Sequence, residues 1–189
     1  DKLTWVNSQH IKALPRERMV LEIRRVLGDM VTMTAAGDAF VAGLADITQG
    51  NVDLLVDVKP VAERVISYPM QQTIQSDEEA AALVKEESFA AICTRLGADY
   101  ASGALPTGGG EDFAGDWKKY MKALGKDLGV KGKALFHPVR LALTGEMSGA
   151  DVGAQLSLVA LASDGAVVGD VVGLTTRFEF IKSISNVSA

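Results

Sequence analysis

The chain has 189 residues, 48% of them hydrophobic and 23% charged, with a formal net charge of −5. That suffices for one large domain or two small ones with an ordinary core, and the acidic balance argues against a chain that binds nucleic acid over its whole surface. One cysteine, Cys93, and two histidines, His10 and His137, exclude an intrachain disulfide, a cysteine metal cluster and a His-rich metal site.

In chain order, Trp5, Val6, Ile11 and Leu14 fit a short helix that stops before Pro15, because the residue preceding proline disfavours helical backbone. Arg16 to Leu27 carries Met19, Val20, Ile23, Val26 and Leu27 at helical spacing, closed by Gly28. Residues 38–47 form another helix on Phe40, Val41, Leu44 and Ile47, and Thr48-Gln-Gly-Asn51 breaks the pattern. Val52 to Val58 reads as helical, Pro60 opens the next helix, and Tyr68-Pro69 ends it.

Ser76-Asp-Glu-Glu79 has the spacing of a capping box with Ser76 as the N-cap, and opens the longest helix, through Ala80, Leu83, Phe89, Ile92, Leu96 and Tyr100. A Gly-rich break at 103–110 is the expected boundary between two subdomains, 1–105 and 111–189. Its Gly108–Gly110 triplet lacks the Gly-Lys-Ser/Thr and the preceding strand of a phosphate loop. Glu111 to Leu128 is amphipathic, with Phe113, Trp117, Tyr120, Met121 and Leu124 on one side and lysines on the other. Pro138 and Gly145 bracket about two turns of helix, Pro as a first helical residue and Gly as a left-handed stop. Ser148-Gly-Ala-Asp151 is a second capping box, starting a helix through Leu156 and Leu161. Residues 163–173 form a loop containing one weak strand candidate, 166–172, and Leu174 to Ile184 closes the reading as a helix that buries Phe178 and Ile181. The fold class expected is all-α, with several short helices at irregular crossings.

The charge is unevenly spread. From Gly115 to Gly145 seven cations face two anions, a local +5, which leaves −10 for the rest. One face can therefore attract a polyanion, or the lysines simply coat a solvated helix. Within that stretch Arg140, placed in a first helical turn, is a cation at the positive end of a helix dipole, beside His137, Lys131 and Lys133. A guanidinium fork pairs with base edges or phosphates, aromatics and imidazoles stack unpaired bases, and lysines steer the backbone. The competing reading has Arg140 capping a neighbouring helix or pairing with an internal carboxylate.

Catalysis has no foothold in the pattern. Cys93 sits on an apolar helix side, no Gly-x-Ser-x-Gly elbow is present, and Glu78/Glu79 and Glu86/Glu87 suit caps and solvated faces.

Two segments carry a family resemblance. Lys2-Leu-Thr-Trp-Val-Asn-Ser-Gln-His-Ile11 resembles the segment just past the catalytic half of glutamyl-tRNA synthetases. Gly132-Lys-Ala-Leu-Phe-His-Pro-Val-Arg-Leu-Ala-Leu-Thr-Gly145 resembles that family's Gly-Lys-x-Leu-Phe-x-Pro-(Leu/Val)-Arg-x-Ala-Leu-Thr-Gly segment. The resemblance implies the C-terminal anticodon-binding region of a bacterial or organellar member, an all-α helical cage of two small subdomains. It assigns Arg140 to an anticodon base and lines the same site with the loop from Thr144 and Gly145 to Val152, where Ala150 replaces the family's proline. Discriminating members place an arginine in the turn after the third helix. Here that turn is Gln49-Gly-Asn51, so Gln49 and Asn51 point to a non-discriminating enzyme that takes tRNA for glutamate and for glutamine.

The site expected is thus Arg140, His137, Thr144, Gly145, Val152, Gln49 and Asn51, with Lys118, Lys122, Lys131 and Lys133 steering the RNA backbone, and with no catalytic or metal-binding residue. The family's ATP-binding signatures do not occur, so no cofactor is expected in this chain; ATP and Mg would bind a catalytic domain outside it. The segment from Ser67 to Thr73 and the tail at Arg177-Phe-Glu-Phe180 look similar to plastid and organellar members, against a bacterial cytoplasm as the other location. No apolar run reaches the ~18 residues of a membrane span, and Asp1–Trp5 does not read as a targeting peptide, so a soluble intracellular protein without membrane insertion is expected. The rival function is a stranded synthetase domain reused as a structural or adaptor subunit with protein partners in a larger assembly.

Overall fold

The computed structural model describes residues 2–108 and 112–186. Gly109, Gly110 and Glu111, at the expected subdomain boundary and helix start, lie outside the described residues. Eleven α-helices account for most of what is described: α1 (Lys2–Ala13), α2 (Arg16–Leu27), α3 (Ala35–Thr48), α4 (Val58–Ser67), α5 (Met70–Ser76), α6 (Glu78–Leu83), α7 (Glu87–Ala101), α8 (Phe113–Leu128), α9 (Lys133–Thr144), α10 (Val152–Leu161) and α11 (Leu174–Asn186). The all-α expectation holds among the described residues. The strand candidate at 166–172 amounts to one isolated antiparallel bridge, Val31 to Val167.

Packing divides the chain differently from the glycine break. One compact unit runs up to Ser67 and takes in Ser157–Val171; the other runs from Tyr68 to Leu156 and resumes at Val172. A Gly-rich stretch marks where the backbone bends easily, whereas a unit is defined by which apolar faces share a core.

In the first unit, α2, α3 and α4 pack on one another and the wide turn Ala162–Ala166 packs on α3. Met19, Ile23 and Leu27 supply the buried stripe of α2, and Phe40, Val41 and Leu44 that of α3. Gly28, at φ 52°, ends α2 by donating its N–H to Arg24. Val52 to Val58 is not the helix expected. It contributes one 3₁₀ turn, Leu55–Asp57, and the α-helix begins at Val58, with Pro60 inside its first turn where a missing N–H costs nothing.

The second unit is built around α9, which contacts α5, α7 and α11. Its core joins Phe89, Ile92 and Leu96 of α7 to Leu135, Val139, Leu141 and Leu143 of α9, and to Phe178 and Ile181 of α11. The long helix expected from Ala80 to Tyr100 is interrupted. At 100° per residue, a continuous helix would turn the buried Phe89, Ile92 and Leu96 roughly 120–180° away from the buried Ala80. The break at Val84–Glu86 lets both stripes reach the core. The cap also differs: Asp77, not Ser76, accepts the Ala80 N–H at 3.0 Å, because Ser76 closes the unforeseen helix α5.

Candidate nucleic-acid interface

The helix carrying the expected site starts five residues earlier than its proline suggests. α9 begins at Lys133 after Gly132, at φ 58°, and Pro138 lies inside it. Pro138 cannot donate to the carbonyl of Ala134, but Ala134 is exposed, so water can take that acceptor. The correction changes the electrostatics. Arg140 is the eighth of twelve residues, nearer the negative end of the helix dipole, and is not a misplaced cation.

The C-terminal turn of α9 is tightly held. The Gly145 N–H donates to Leu141 at 2.9 Å, the Tyr68 hydroxyl donates to the carbonyl of Ala142 at 2.7 Å, and Arg177 Nη1 donates to that of Leu143 at 2.6 Å. Thr73 adds a hydrogen bond to the Gly145 carbonyl at 2.6 Å. Carbonyls that a helix end leaves unpaired are thus taken by side chains from the neighbouring segments. Gly145 is required here twice over. Its φ is 74°, and a Cβ would lie 2.7 Å from the backbone nitrogen of Met70.

Arg177, read from sequence as part of an organellar-looking tail, is 2% exposed. Its Nε also donates to Val172 at 2.7 Å, and its guanidinium lies 4.8 Å from the centre of the Tyr68 ring. Burial lowers its pKa to about 10.

Arg140 is half-buried, and its Nη1 donates to the backbone carbonyl of Ala150 at 2.9 Å. Gln155 Nε2 donates to the same carbonyl at 3.1 Å, and Asp151 caps α10 through the Ala154 N–H at 2.9 Å. The second capping box expected is therefore not formed: Asp151 alone is the N-cap, Ala154 at N3 has no polar side chain to reciprocate, and Ser148 is exposed outside the helix. Arg140 binds a loop carbonyl just before the N-terminus of α10, which is neither the helix C-terminus nor the carboxylate of the competing reading; a guanidinium has five N–H donors and this is its one hydrogen bond among the described residues. Where the family's proline would stiffen the loop, these bonds hold Ala150.

The other expected residues divide by exposure. Thr144 is 2% exposed; its hydroxyl donates to the Arg140 carbonyl at 2.8 Å and accepts the Glu146 N–H at 3.2 Å. Val152 is buried in the core and Gly145 is buried too, so these three shape the loop. Lys133 Nζ lies 2.6 Å from Glu79 Oε1, with His137 Nδ1 at 3.6 Å from the same oxygen. The Nδ1 atom is buried and makes no hydrogen bond. Glu79, expected at a solvated cap, thus faces two of the proposed RNA-contacting groups. Gln49 and Asn51 belong to the first unit, and both side chains are engaged there. Gln49 Nε2 donates to Leu14 at 2.7 Å, and Asn51 Nδ2 donates to Ile47 at 2.9 Å.

Lys118, Lys122 and Lys131 are exposed, and together with Lys126 they line a groove of about 930 Å³. Trp117, Met121 and Leu135 form its apolar side, and Phe136, 55% exposed, stands in it. Cys93 offers no nucleophile, being buried with its thiol pushed up to about 12. No group of three or more His, Cys, Asp and Glu side chains among the described residues could hold a metal ion. No helix among them is long and apolar enough to cross a membrane.

Residues 111–161, which span this groove and the Arg140 loop, match the family described as an anticodon binding domain. The chain is 28% identical over 155 residues to a glutamate–tRNA ligase of Listeria monocytogenes, covering 80% of this chain and 30% of that one. It is 29% identical over 167 residues to the Natranaerobius thermophilus ligase, covering 84% and 32%. A 34-residue stretch, 18% of this chain and 7% of the relative, is 62% identical to the Sulfurihydrogenibium ligase. In fold it is similar to a glutamate tRNA ligase from Elizabethkingia meningosepticum, with a TM-score of 0.63 and 16% identity over 98% of this chain and 32% of that one. The chain thus spans about a third of the length of these longer relatives. They are bacterial, and the plastid or mitochondrial origin expected from sequence has no support among them. Residues 111–161 thus match an anticodon binding domain, and most of the chain is similar to about a third of these glutamate–tRNA ligases, which favours an RNA-binding role over the reused-adaptor reading.

Proposed function

We propose that the chain binds the anticodon arm of a tRNA for glutamate, with Arg140 reading one anticodon base. The observation that carries this reading is the state of Arg140: one N–H tethers it to Ala150 and the remaining donors have no partner among the described residues, on a helix end locked by Tyr68 and Arg177. Such a group is oriented before RNA arrives, which limits the ordering cost of binding. Lys118, Lys122 and Lys131 supply sequence-independent attraction to phosphates, Lys133 joins them once separated from Glu79, and His137 beside the same carboxylate faces the anticodon. Thr144, Gly145 and Val152 act through the loop they hold.

In this reading the chain serves within a longer polypeptide that ligates glutamate to tRNA, and ATP and magnesium are handled by its catalytic part. The absence of an arginine in the turn at Gln49–Asn51 supports a non-discriminating enzyme that accepts tRNA for glutamine as well.

The test is equilibrium binding of transcribed tRNA for glutamate to this chain and its variants. Arg140→Ala is expected to weaken binding by about 1–3 kcal/mol, the worth of a bidentate base contact. Arg140→Lys, which keeps the charge and loses the fork, recovers only part of it. Undiminished binding by Arg140→Ala removes the residue from the site. A strong preference for the glutamate tRNA over the glutamine tRNA overturns the non-discriminating assignment.

A further inference from the structure

We propose that the groove beside α8 and the start of α9 is a stacking site for one unpaired nucleotide of the bound RNA, distinct from the base read by Arg140, with Phe136 as its platform. The inference rests on the RNA-binding reading above and adds a second point of base contact to it.

Three observations converge on this groove. First, Phe136 leaves 55% of its surface in water, although its helix neighbours Leu135, Val139 and Leu141 are buried. Of the other aromatics there, Trp117 is 8% exposed, its ring packing where a Cβ on Gly153 would come within 2.7 Å, and the half-buried Phe113 is stacked on that indole with ring centroids 6.5 Å apart. The indole is committed to the fold, whereas the Phe136 ring is presented. Second, four cations edge the groove, Lys118, Lys122, Lys126 and Lys131, and none forms an ion pair among the described residues. Their neighbours do pair, Lys119 with Asp116 and Lys133 with Glu79. The acid that lines the groove, Asp151, is occupied in capping α10. Third, Phe136 precedes Arg140 by four residues, so the two side chains share one stripe of α9 with Cβ atoms roughly 5–6 Å apart.

An apolar ring beside uncompensated cations is what a nucleotide requires, since the base has a π-face and the phosphate a charge. The volume of about 930 Å³ admits a base with its sugar. A nucleotide stacked on Phe136 places its phosphates toward the lysines while a neighbouring one reaches Arg140. An acidic amphipathic peptide is the competing occupant, because it too combines apolar and anionic surface. The RNA assignment is favoured because the groove lies within residues 111–161, the segment that matches the anticodon-binding family.

The experiment measures binding of the glutamate tRNA anticodon stem-loop to the wild-type chain and to Phe136→Leu, Phe136→Tyr and Arg140→Ala, with each loop nucleotide made abasic in turn. Thermal unfolding of each variant monitors the fold. Phe136→Leu keeps bulk and apolarity but loses the ring, and is expected to weaken binding by about 5- to 150-fold, the range for one base–aromatic stack. Phe136→Tyr is expected to bind as wild type. One abasic position should weaken the wild type and leave Phe136→Leu unaffected, which identifies the stacked nucleotide.

Wild-type binding by Phe136→Leu, or abasic penalties identical in wild type and Phe136→Leu, overturns the stacking site. If Arg140→Ala still loses affinity in that case, the RNA-binding reading stands without it; if neither variant loses affinity, both fall. A synthetic Glu/Leu helical peptide that binds wild type but not Phe136→Leu, while stem-loop binding is the same in both, would reassign the groove to a protein partner and overturn the proposal.

Discussion

The arginines of α2 and the lysines edging the α8–α9 groove are similar charges in opposite states. Arg16 is paired with Asp46, Arg18 and Arg25 with Glu22, and Arg24 with Asp38. Lys118, Lys122, Lys126 and Lys131 have no ion-pair partner among the described residues. Local composition alone does not separate the two sets, since the α2 arginines and Lys118, Lys122 and Lys126 of α8 sit on amphipathic helices with acids nearby in sequence. The difference lies in what the charges face. Those of α2 cancel against carboxylates of the same unit, and those of α8 and Lys131 leave a local field directed at whatever enters the groove. A cation count measures potential binding, whereas the pairing state indicates which part of it is available.

Replacing all four groove lysines by glutamine should have the largest effect. RNA affinity should fall on the order of 100-fold, and the slope of log affinity against log salt should become shallower by up to about 3, at ~0.7 for each phosphate no longer neutralised on a single strand. A salt titration in which the variant keeps the wild-type slope would erase the distinction between the two sets. Next, Arg24→Ala should cost stability and leave binding unchanged. Its side chain is only 21% exposed and holds both Asp38 and the carbonyl of Thr32, so urea unfolding should show a loss of about 1 kcal/mol at constant RNA affinity. The smallest effect expected is a gain. Glu79→Gln frees Lys133 and His137 from their shared carboxylate, and RNA should bind about twofold tighter, as befits an exposed ion pair. Weaker binding in that variant would mean that Glu79 positions the cations for RNA instead of occupying them.

The helices that are legible in sequence carry their own start or stop signals. α2 ends at Gly28, α9 at Gly145, and α11 shows its buried Phe178 and Ile181 at helical spacing. Misreadings arise where two signals compete. Ser76 and Asp77 are both able to cap, and the choice falls to Asp77 because residues 70–76 form a helix of their own. Pro138 resembles a helix start, yet Gly132, six residues before it, serves as the start. The phase shift between the apolar stripes of Ala80 and Phe89 is present in the spacing, but a reading by apolar content alone passes over it.

The expected site is legible as residue types and not as roles. Arg140 stands out in sequence for a dipole conflict that the longer α9 removes, and its tether to Ala150 depends on how the loop returns. Phe136 is not among the site residues expected from sequence, because residue type alone does not say whether a phenylalanine faces the core or solvent. Its exposure reflects the helix phase set by Leu135 and Val139 facing inward.

By itself, the sequence determined an all-helical chain, the uneven charge that concentrates cations between residues 115 and 145, and the two segments that resemble glutamyl-tRNA synthetases. These follow from periodicity, counting and motif order, which need no third dimension. Tertiary structure decided which residues share a core, that Arg177 is buried against Tyr68 and the end of α9, and which cations remain unpaired. Those properties belong to distances between residues far apart in the chain, such as Leu143 and Arg177 or Glu79 and Lys133, and only packing brings them within bonding range.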